Sequence, residues 1–165
     1  MIEKTEIPLS KIKIGLLTIA SLIFVFLGYF MFIKTGSYFG ILGMLFFSGT
    51  GVFGFYKIFG NSKGLIIDKN GISDYSNTSS VGLIKWNDII EINTIVVSNQ
   101  KFIIIYVKNP EEYIENSKNK LQKRFLKMNY KMYGSPFYIT ANSLKYNFKK
   151  LKKILQSEFN KHKQL

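Results

Sequence analysis

No cysteine occurs in this chain of 165 residues, which excludes disulfides, thiolate metal sites and a cysteine nucleophile. Histidine is nearly as scarce. His162, close to the C-terminal end, is the only one, so a Ser-His-Asp triad or a His-containing ligand set is hard to build. No Gly-rich phosphate loop or nucleophile elbow is visible. Asp68, Asp74, Asp88 and Glu91 show no pair with a distinctive acid/base or metal spacing, and ordinary turn and surface roles are expected for them. The expectation is therefore a protein that is not an enzyme, with no catalytic residue, cofactor or metal.

Negative charge is also sparse, with 10 Asp and Glu against 23 Lys and Arg and a net charge of +13. Arg124 is the single arginine. A basic excess points to an acidic partner, either nucleic acid or an anionic membrane surface. The Lys, Ile, Asn and Tyr usage of an AT-rich genome produces the same excess without a specific surface. The shortage of arginine and the membrane tether derived next argue against nucleic acid.

Charge is missing altogether from two long stretches, residues 14–33 and 35–56, while residues 64–165 hold 25 of the 33 charged side chains. Twenty apolar residues from Ile14 to Ile33, at a rise of about 1.5 Å each, cover the roughly 30 Å hydrocarbon core. Backbone groups in hydrocarbon must be satisfied internally, so the run is read as a helix. A signal peptide would have a shorter apolar core, and here Tyr29, Phe30, Met31 and Phe32 stand where small residues would be needed for cleavage. A second span is expected from about 38 to 59. Only Lys34, Thr35, Gly36 and Ser37 separate the two, so both outer ends emerge on one side. Lys4, Lys11, Lys13, Lys57, Lys63 and Lys69 flank the outer ends against a single Lys34 in the turn, which places both termini in the cytoplasm. Neither uncharged run carries a charged residue, so an ion pathway is not expected and the hairpin reads as an anchor. Gly40, Gly43, Thr50, Gly51 and Gly54 recur at roughly helical spacing, as do Thr18, Ser21, Val25 and Gly28 on the first span. Such small-residue stripes bring helix backbones close. Helix–helix packing through Gly40, Gly43, Gly51 and Gly54 within the hairpin is the simplest reading, and a homo-oligomer through the same stripe is the sharper one.

Beyond Gly64 the pattern shifts to short β segments. Leu65–Asp68 and Ile72–Tyr75 flank Lys69-Asn70-Gly71, in which Asn-Gly supplies the positive φ of a tight hairpin. A loop over Ser76–Ser80 leads to a strand over Val81–Trp86. Asn87 to Ile92 can form one polar-capped turn, and Thr94–Ser98 and Phe102–Val107 read as a second hairpin about Asn99-Gln100. At Asn109 the period becomes helical, with Pro110 at the first position and Glu111 and Glu112 in the first turn. Ile114, Leu121, Phe125 and Met128 are the expected apolar stripe of one helix over 110–127. Strands near Phe137–Thr140 and Leu144–Tyr146 precede a terminal helix from about Phe148. On that helix Phe148, Leu151, Ile154, Leu155 and Phe159 should face inward, with Lys149, Lys150, Lys152 and Lys153 outward. The fold class expected is a membrane helical hairpin (residues 1–63 with the N-terminal tail) plus an α+β domain (residues 64–165).

The hairpin Gly64–Ile72, the Ile84-x-Trp86-x-Asp88-Ile89 segment, and the runs Val97–Pro110 and Lys127–Pro136 resemble a small family of bacterial membrane-anchored pleckstrin-homology-like (PH-like) proteins. That resemblance implies a partly open antiparallel barrel with an inserted helix and a C-terminal amphipathic helix, at the cytoplasmic membrane. It implies no activity.

Two surfaces stand out. Trp86 either faces a ligand or membrane surface or packs into the barrel wall while Asp88 caps a turn, and the packed reading is preferred. Lys118, Lys120, Lys123, Arg124, Lys127 and Lys131 could contact anionic lipid headgroups or a protein partner, with Tyr130, Met132 and Tyr133 beside them either core or at the interface. The expected function is a membrane-anchored binding or scaffold protein presenting its domain to a protein or anionic-lipid partner. The alternative is an immunity or stress-protection membrane protein acting against a toxin.

Overall fold

The computed structural model describes residues 4–60, 63–76 and 82–163. Val81 and the loop expected after Ser76 lie outside them. The chain divides into two compact units: residues up to Leu9 together with those from Lys63 on, and the intervening segment that begins at Ser10.

The intervening unit is the helical hairpin. Helix α1 spans Lys11–Thr35 and α2 spans Tyr38–Phe59, both long and apolar enough to cross a membrane. Ser10 caps α1 by accepting from Lys13 N at 3.4 Å. At the other end Gly36 adopts φ 65° and donates its N–H to Phe32 O at 2.8 Å, a left-handed C-cap that turns the chain into α2 within two residues. Nearly every large side chain on both helices points outward, and only Ser21, Gly40, Gly51 and Gly54 are buried. The helices meet through small residues. A Cβ on Gly54 would overlap Thr18 Oγ1, one on Gly51 would lie 2.9 Å from Ser21 Oγ, and one on Gly40 would lie 2.5 Å from Gly28 O. The Thr18 and Ser21 hydroxyls donate back to Ile14 O (2.9 Å) and Thr18 O (2.7 Å). The seam is therefore close packing, with hydroxyls satisfied inside their own helix. Phe24 stacks on Phe47 with centroids 4.6 Å apart. Gly43 departs from the expected stripe, since open space surrounds the position its Cβ would take. Thr50 is exposed too. Both fall out of phase with the antiparallel partner.

Among its described residues the other unit holds seven strands in two antiparallel sheets. One sheet has the order β1 (Thr5–Ile7), β2 (Leu65–Asp68), β3 (Gly71–Asp74) and β4 (Gly82–Lys85). The second has β5 (Ile89–Val97), β6 (Gln100–Val107) and β7 (Phe137–Ile139). Among the described residues the two sheets do not close into a barrel. Helices α3 (Pro110–Glu115) and α4 (Lys120–Tyr133) lie between β6 and β7, and α5 (Phe148–Lys163) ends the described chain.

Strand β1 changes the expected division of the chain. Residues 4–9 do not form a tail to the hairpin: Thr5 pairs with Ile67 and Ile7 with Leu65, so the hairpin is an insertion into the β1–β2 connection. Ile7 and Leu9 alternate inward and are buried, while the intervening Pro8, which has no N–H to give a ladder, accepts from Lys145 N at 3.0 Å through its carbonyl. Leu9 bridges to Leu144, which is all that forms of the strand expected over Leu144–Tyr146.

Both hairpin turns sit one residue away from their expected place. Between β2 and β3 the central pair is Lys69-Asn70, held by the Asp68 carboxylate accepting from Asn70 N (2.8 Å) and Gly71 N (3.3 Å). Gly71 follows at φ 156° with Ile84 O overlapping the place where a Cβ would stand, so a side chain fits neither the backbone nor the space. Between β5 and β6 the turn is Ser98-Asn99, at φ 47° and 63°, the two positive values a type I′ turn requires. The longer β5 begins at Ile89, directly after one 3-10 turn over Trp86–Asp88.

Candidate functional site

The helix expected over 110–127 breaks in two. Asn116, Ser117 and Asn119 have side chains that compete for backbone groups, and they end α3 and restart α4. Ser117 Oγ donates to Ile114 O (2.7 Å), and Asn119 caps α4 by accepting from Gln122 N (2.8 Å). The break resets the helical phase. Ile114 stays buried, but the buried residues of α4 are Gln122, Leu126 and Asn129. The two buried amides serve neighbouring backbone: Gln122 Oε1 accepts from Lys118 N at 2.6 Å, and Asn129 Nδ2 donates to Pro136 O at 3.2 Å. A buried amide holding a backbone group in this way is well placed, whereas its loss would leave that group unpaired.

Leu121, Phe125 and Met128 of the expected stripe therefore face out, and Met132 joins them. Leu121 is 57% exposed, Phe125 37%, Met128 46% and Met132 53%. Their spacing of three to four residues makes them one continuous band along α4. Lys120, Arg124, Lys127 and Lys131, at the same spacing, form a parallel exposed band next to it. Of the six expected contact residues, Lys123 and Lys127 pair with the Glu115 carboxylate (Lys127 at 3.6 Å), which is held below its ordinary range by the hydrogen bond from Lys123. Lys118, Lys120, Arg124 and Lys131 have no ion-pair partner among the described residues.

Under the apolar band lies an open groove of about 230 Å³. Ile95, Phe102, Ile104 and Tyr138 form its floor on one face of the β5–β6–β7 sheet, where Ile95 pairs with Phe102 and Ile104 with Tyr138. Met128, Asn129, Met132 and Tyr133 form its α4 wall. Phe102 and Tyr138 meet edge to face at 5.7 Å, which fixes the floor's shape. Tyr106 Oη donates to Tyr133 O (3.4 Å), and Ser135 Oγ donates to Ile105 O, so the end of α4 is tied to the sheet beneath it. Met132 and Tyr133 thus belong to the groove and Tyr130 is half-buried.

Trp86 packs. It is buried, its Nε1–H donates to Asp68 O at 2.8 Å, and its ring stacks on His162 at 4.4 Å between centroids. The single tryptophan and single histidine therefore join the 3-10 turn to α5. Asp88 bonds elsewhere than to its own turn: its Oδ2 accepts from Tyr113 Oη at 2.6 Å, which ties α3 to the 3-10 turn. Burial, followed by that hydrogen bond, raises the Tyr113 hydroxyl well above its ordinary value of 10.0. Asp74 accepts from Ser76 N and Oγ (2.7 and 2.6 Å), and Glu91 accepts from Asn93 Nδ2 (2.8 Å), which are turn and surface roles. Among the described residues no three carboxylate or imidazole groups converge as a metal set.

No family model, curated protein or solved structure matches the chain.

Proposed function

We propose that this chain is a membrane-anchored binding module whose hairpin crosses the bilayer and whose domain lays α4 on an anionic leaflet. The observation that carries the reading is the pair of bands on α4, Leu121, Phe125, Met128 and Met132 beside Lys120, Arg124, Lys127 and Lys131. Exposed to water, a contiguous apolar band marks an interaction surface. At a bilayer surface the same band sinks to the acyl boundary while the basic side chains meet the headgroups. Each basic residue near a charged leaflet contributes on the order of 1 kcal/mol.

Three further features support it. The hairpin is an insertion between β1 and β2, so the chain leaves and re-enters the same domain through links of only three and five residues. Lys11, Lys13 and Lys57 flank those links, in keeping with a domain on the cytoplasmic side of a bacterial membrane. Residues 63–165 carry 18 basic against 8 acidic side chains, the sign that suits an anionic surface. We read the domain as PH-like. Four strands in one sheet, three in the next and a closing helix support that likeness, with α3 and α4 inserted before the last strand.

The absence of cysteine makes the test direct. The full chain with Leu121→Cys carrying a bimane label is reconstituted in nanodiscs of phosphatidylcholine, with and without phosphatidylglycerol. Emission should shift to the blue when phosphatidylglycerol is present, and the shift should weaken at high salt. Identical emission in both bilayers would sink the proposal.

A further inference from the structure

The groove beneath α4 is built differently from a surface dimple. Its floor is a fixed set of sheet side chains, Ile95, Phe102, Ile104 and Tyr138, and its wall ends in two methionines, Met128 and Met132. Methionine side chains are flexible and polarisable, and surfaces rich in them adapt to apolar partners of variable shape. At about 230 Å³ the space falls below the roughly 300–1,000 Å³ of pockets that enclose whole small molecules. It suits a slender apolar segment that enters from an open side. The band that leads into it, Leu121, Phe125, Met128 and Met132, is apolar, and the next band around the helix is basic. An occupant complementary to both has a thin apolar part joined to a negative head. A second copy of this domain, with the same excess of positive charge, is opposed by like-charge repulsion.

We propose that the groove between α4 and the β5–β6–β7 sheet takes up one acyl chain of an anionic phospholipid, with Arg124, Lys127 and Lys131 facing its headgroup. This rests on α4 lying at the bilayer surface. It adds that the domain holds an individual lipid and does not merely rest on a charged sheet. The basic side chains select the anionic lipid, and the groove shields the stretch of chain that leaves the bilayer.

The experiment uses the full chain in nanodiscs, with bimane on Ile95→Cys at the groove floor and, in parallel, on Leu121→Cys on the outer band. Phosphatidylglycerol brominated in its acyl chains is compared with brominated phosphatidylcholine at equal mole fraction. Bromine should quench the Ile95 label about fivefold more effectively when carried by phosphatidylglycerol, the selectivity that one engaged basic residue supplies. Met128→Phe and Met132→Phe, two positions where a ring fills the groove, should each abolish that quenching; because both methionines also belong to the outer band, the surface response is read from the Leu121 label in the parent sequence. Circular dichroism and the elution volume of each variant report its folding. A Leu121 response without quenching at Ile95 would overturn this inference and leave the surface reading standing. No response at either label would overturn both. Equal quenching by the two lipids would overturn the anionic selection. A disulfide joining two unlabelled Ile95→Cys chains, with no quenching of the labelled form, would assign the groove to a second copy.

Discussion

Helices α4 and α5 are both amphipathic and rich in lysine, and their apolar bands face opposite ways. On α5 the apolar residues turn in: Leu151 and Leu155 are fully buried, Phe148, Ile154 and Phe159 are half-buried, and Lys149, Lys150 and Lys153 are exposed. On α4 Leu121, Phe125, Met128 and Met132 turn out, and two amides share the inner face with Leu126. The difference lies in what the neighbouring backbone demands. Beside α4, the Lys118 N–H and the Pro136 carbonyl belong to connections that no strand ladder satisfies, and Gln122 and Asn129 bond to them. Orientation follows from which face can satisfy those groups, so an apolar stripe is not by itself evidence of a core. Where the stripe is displaced outward, it becomes available to a partner.

The contrast can be broken most forcefully in the core. Leu155→Ala should destabilise the domain by about 2–5 kcal/mol, read from Trp86 emission during denaturant unfolding of the purified chain. Leu121→Ala should stay within about 0.5 kcal/mol of the parent. Comparable losses from the two would mean that α4 is as buried as α5. Next in size is Asn129→Leu, which puts an apolar residue at an inward position yet leaves the Pro136 carbonyl without its donor. A loss of about 1–3 kcal/mol is expected, and a gain would show that the amide is not what orients α4.

Tyr113→Phe should cost about 1–2 kcal/mol by removing the 2.6 Å bond to Asp88 that positions the start of the α3–α4 segment. The pH dependence has a definite sign. The Tyr113 hydroxyl is raised above its ordinary value of 10.0 by burial and then by Asp88, so the folded state keeps a proton that the unfolded chain gives up. Its contribution is complete below pH 10 and falls as pH rises beyond it; Tyr113→Phe should flatten that alkaline decline in a titration of unfolding free energy. The smallest effect is expected from Glu115→Gln. Freeing Lys123 and Lys127 should strengthen the response of a Leu121 label to phosphatidylglycerol by about fivefold in effective lipid affinity. A weaker response would mean that the pairing with Glu115 holds α4 in its lipid-facing pose.

Much of the fold was legible where a physical rule acts over many residues. Uncharged runs of membrane length located α1 and α2 to within a few residues, and the small-residue spacing identified Thr18, Ser21 and Gly28 opposite Gly54, Gly51 and Gly40. Strand β1 was not legible. Three residues carry no period, and their partner lies across the whole hairpin insertion. The turns slipped by one residue because Asp68 and Ser98 fill the roles that Asn-Gly and Asn99-Gln100 suggested. The basic residues of the candidate site were legible as a cluster, but beside them Leu121, Phe125 and Met128 read as a core stripe and Met132 as either core or interface. A helix break at Asn116–Asn119 resets the phase, and only the amides at 122 and 129, flanking Leu126 at helical spacing, hinted at the true inner face. The groove depends on sheet register and has no local signature.

One measurement tests the outward band most directly: single-cysteine bimane labels placed in turn from Lys118 to Tyr133 of the full chain, in nanodiscs containing phosphatidylglycerol. The expected result is a helical period, with the bluest emission at 121, 125, 128 and 132 and the least shift at 123 and 130. Emission without that period, or a period centred on 122, 126 and 129, would contradict an α4 that faces the bilayer.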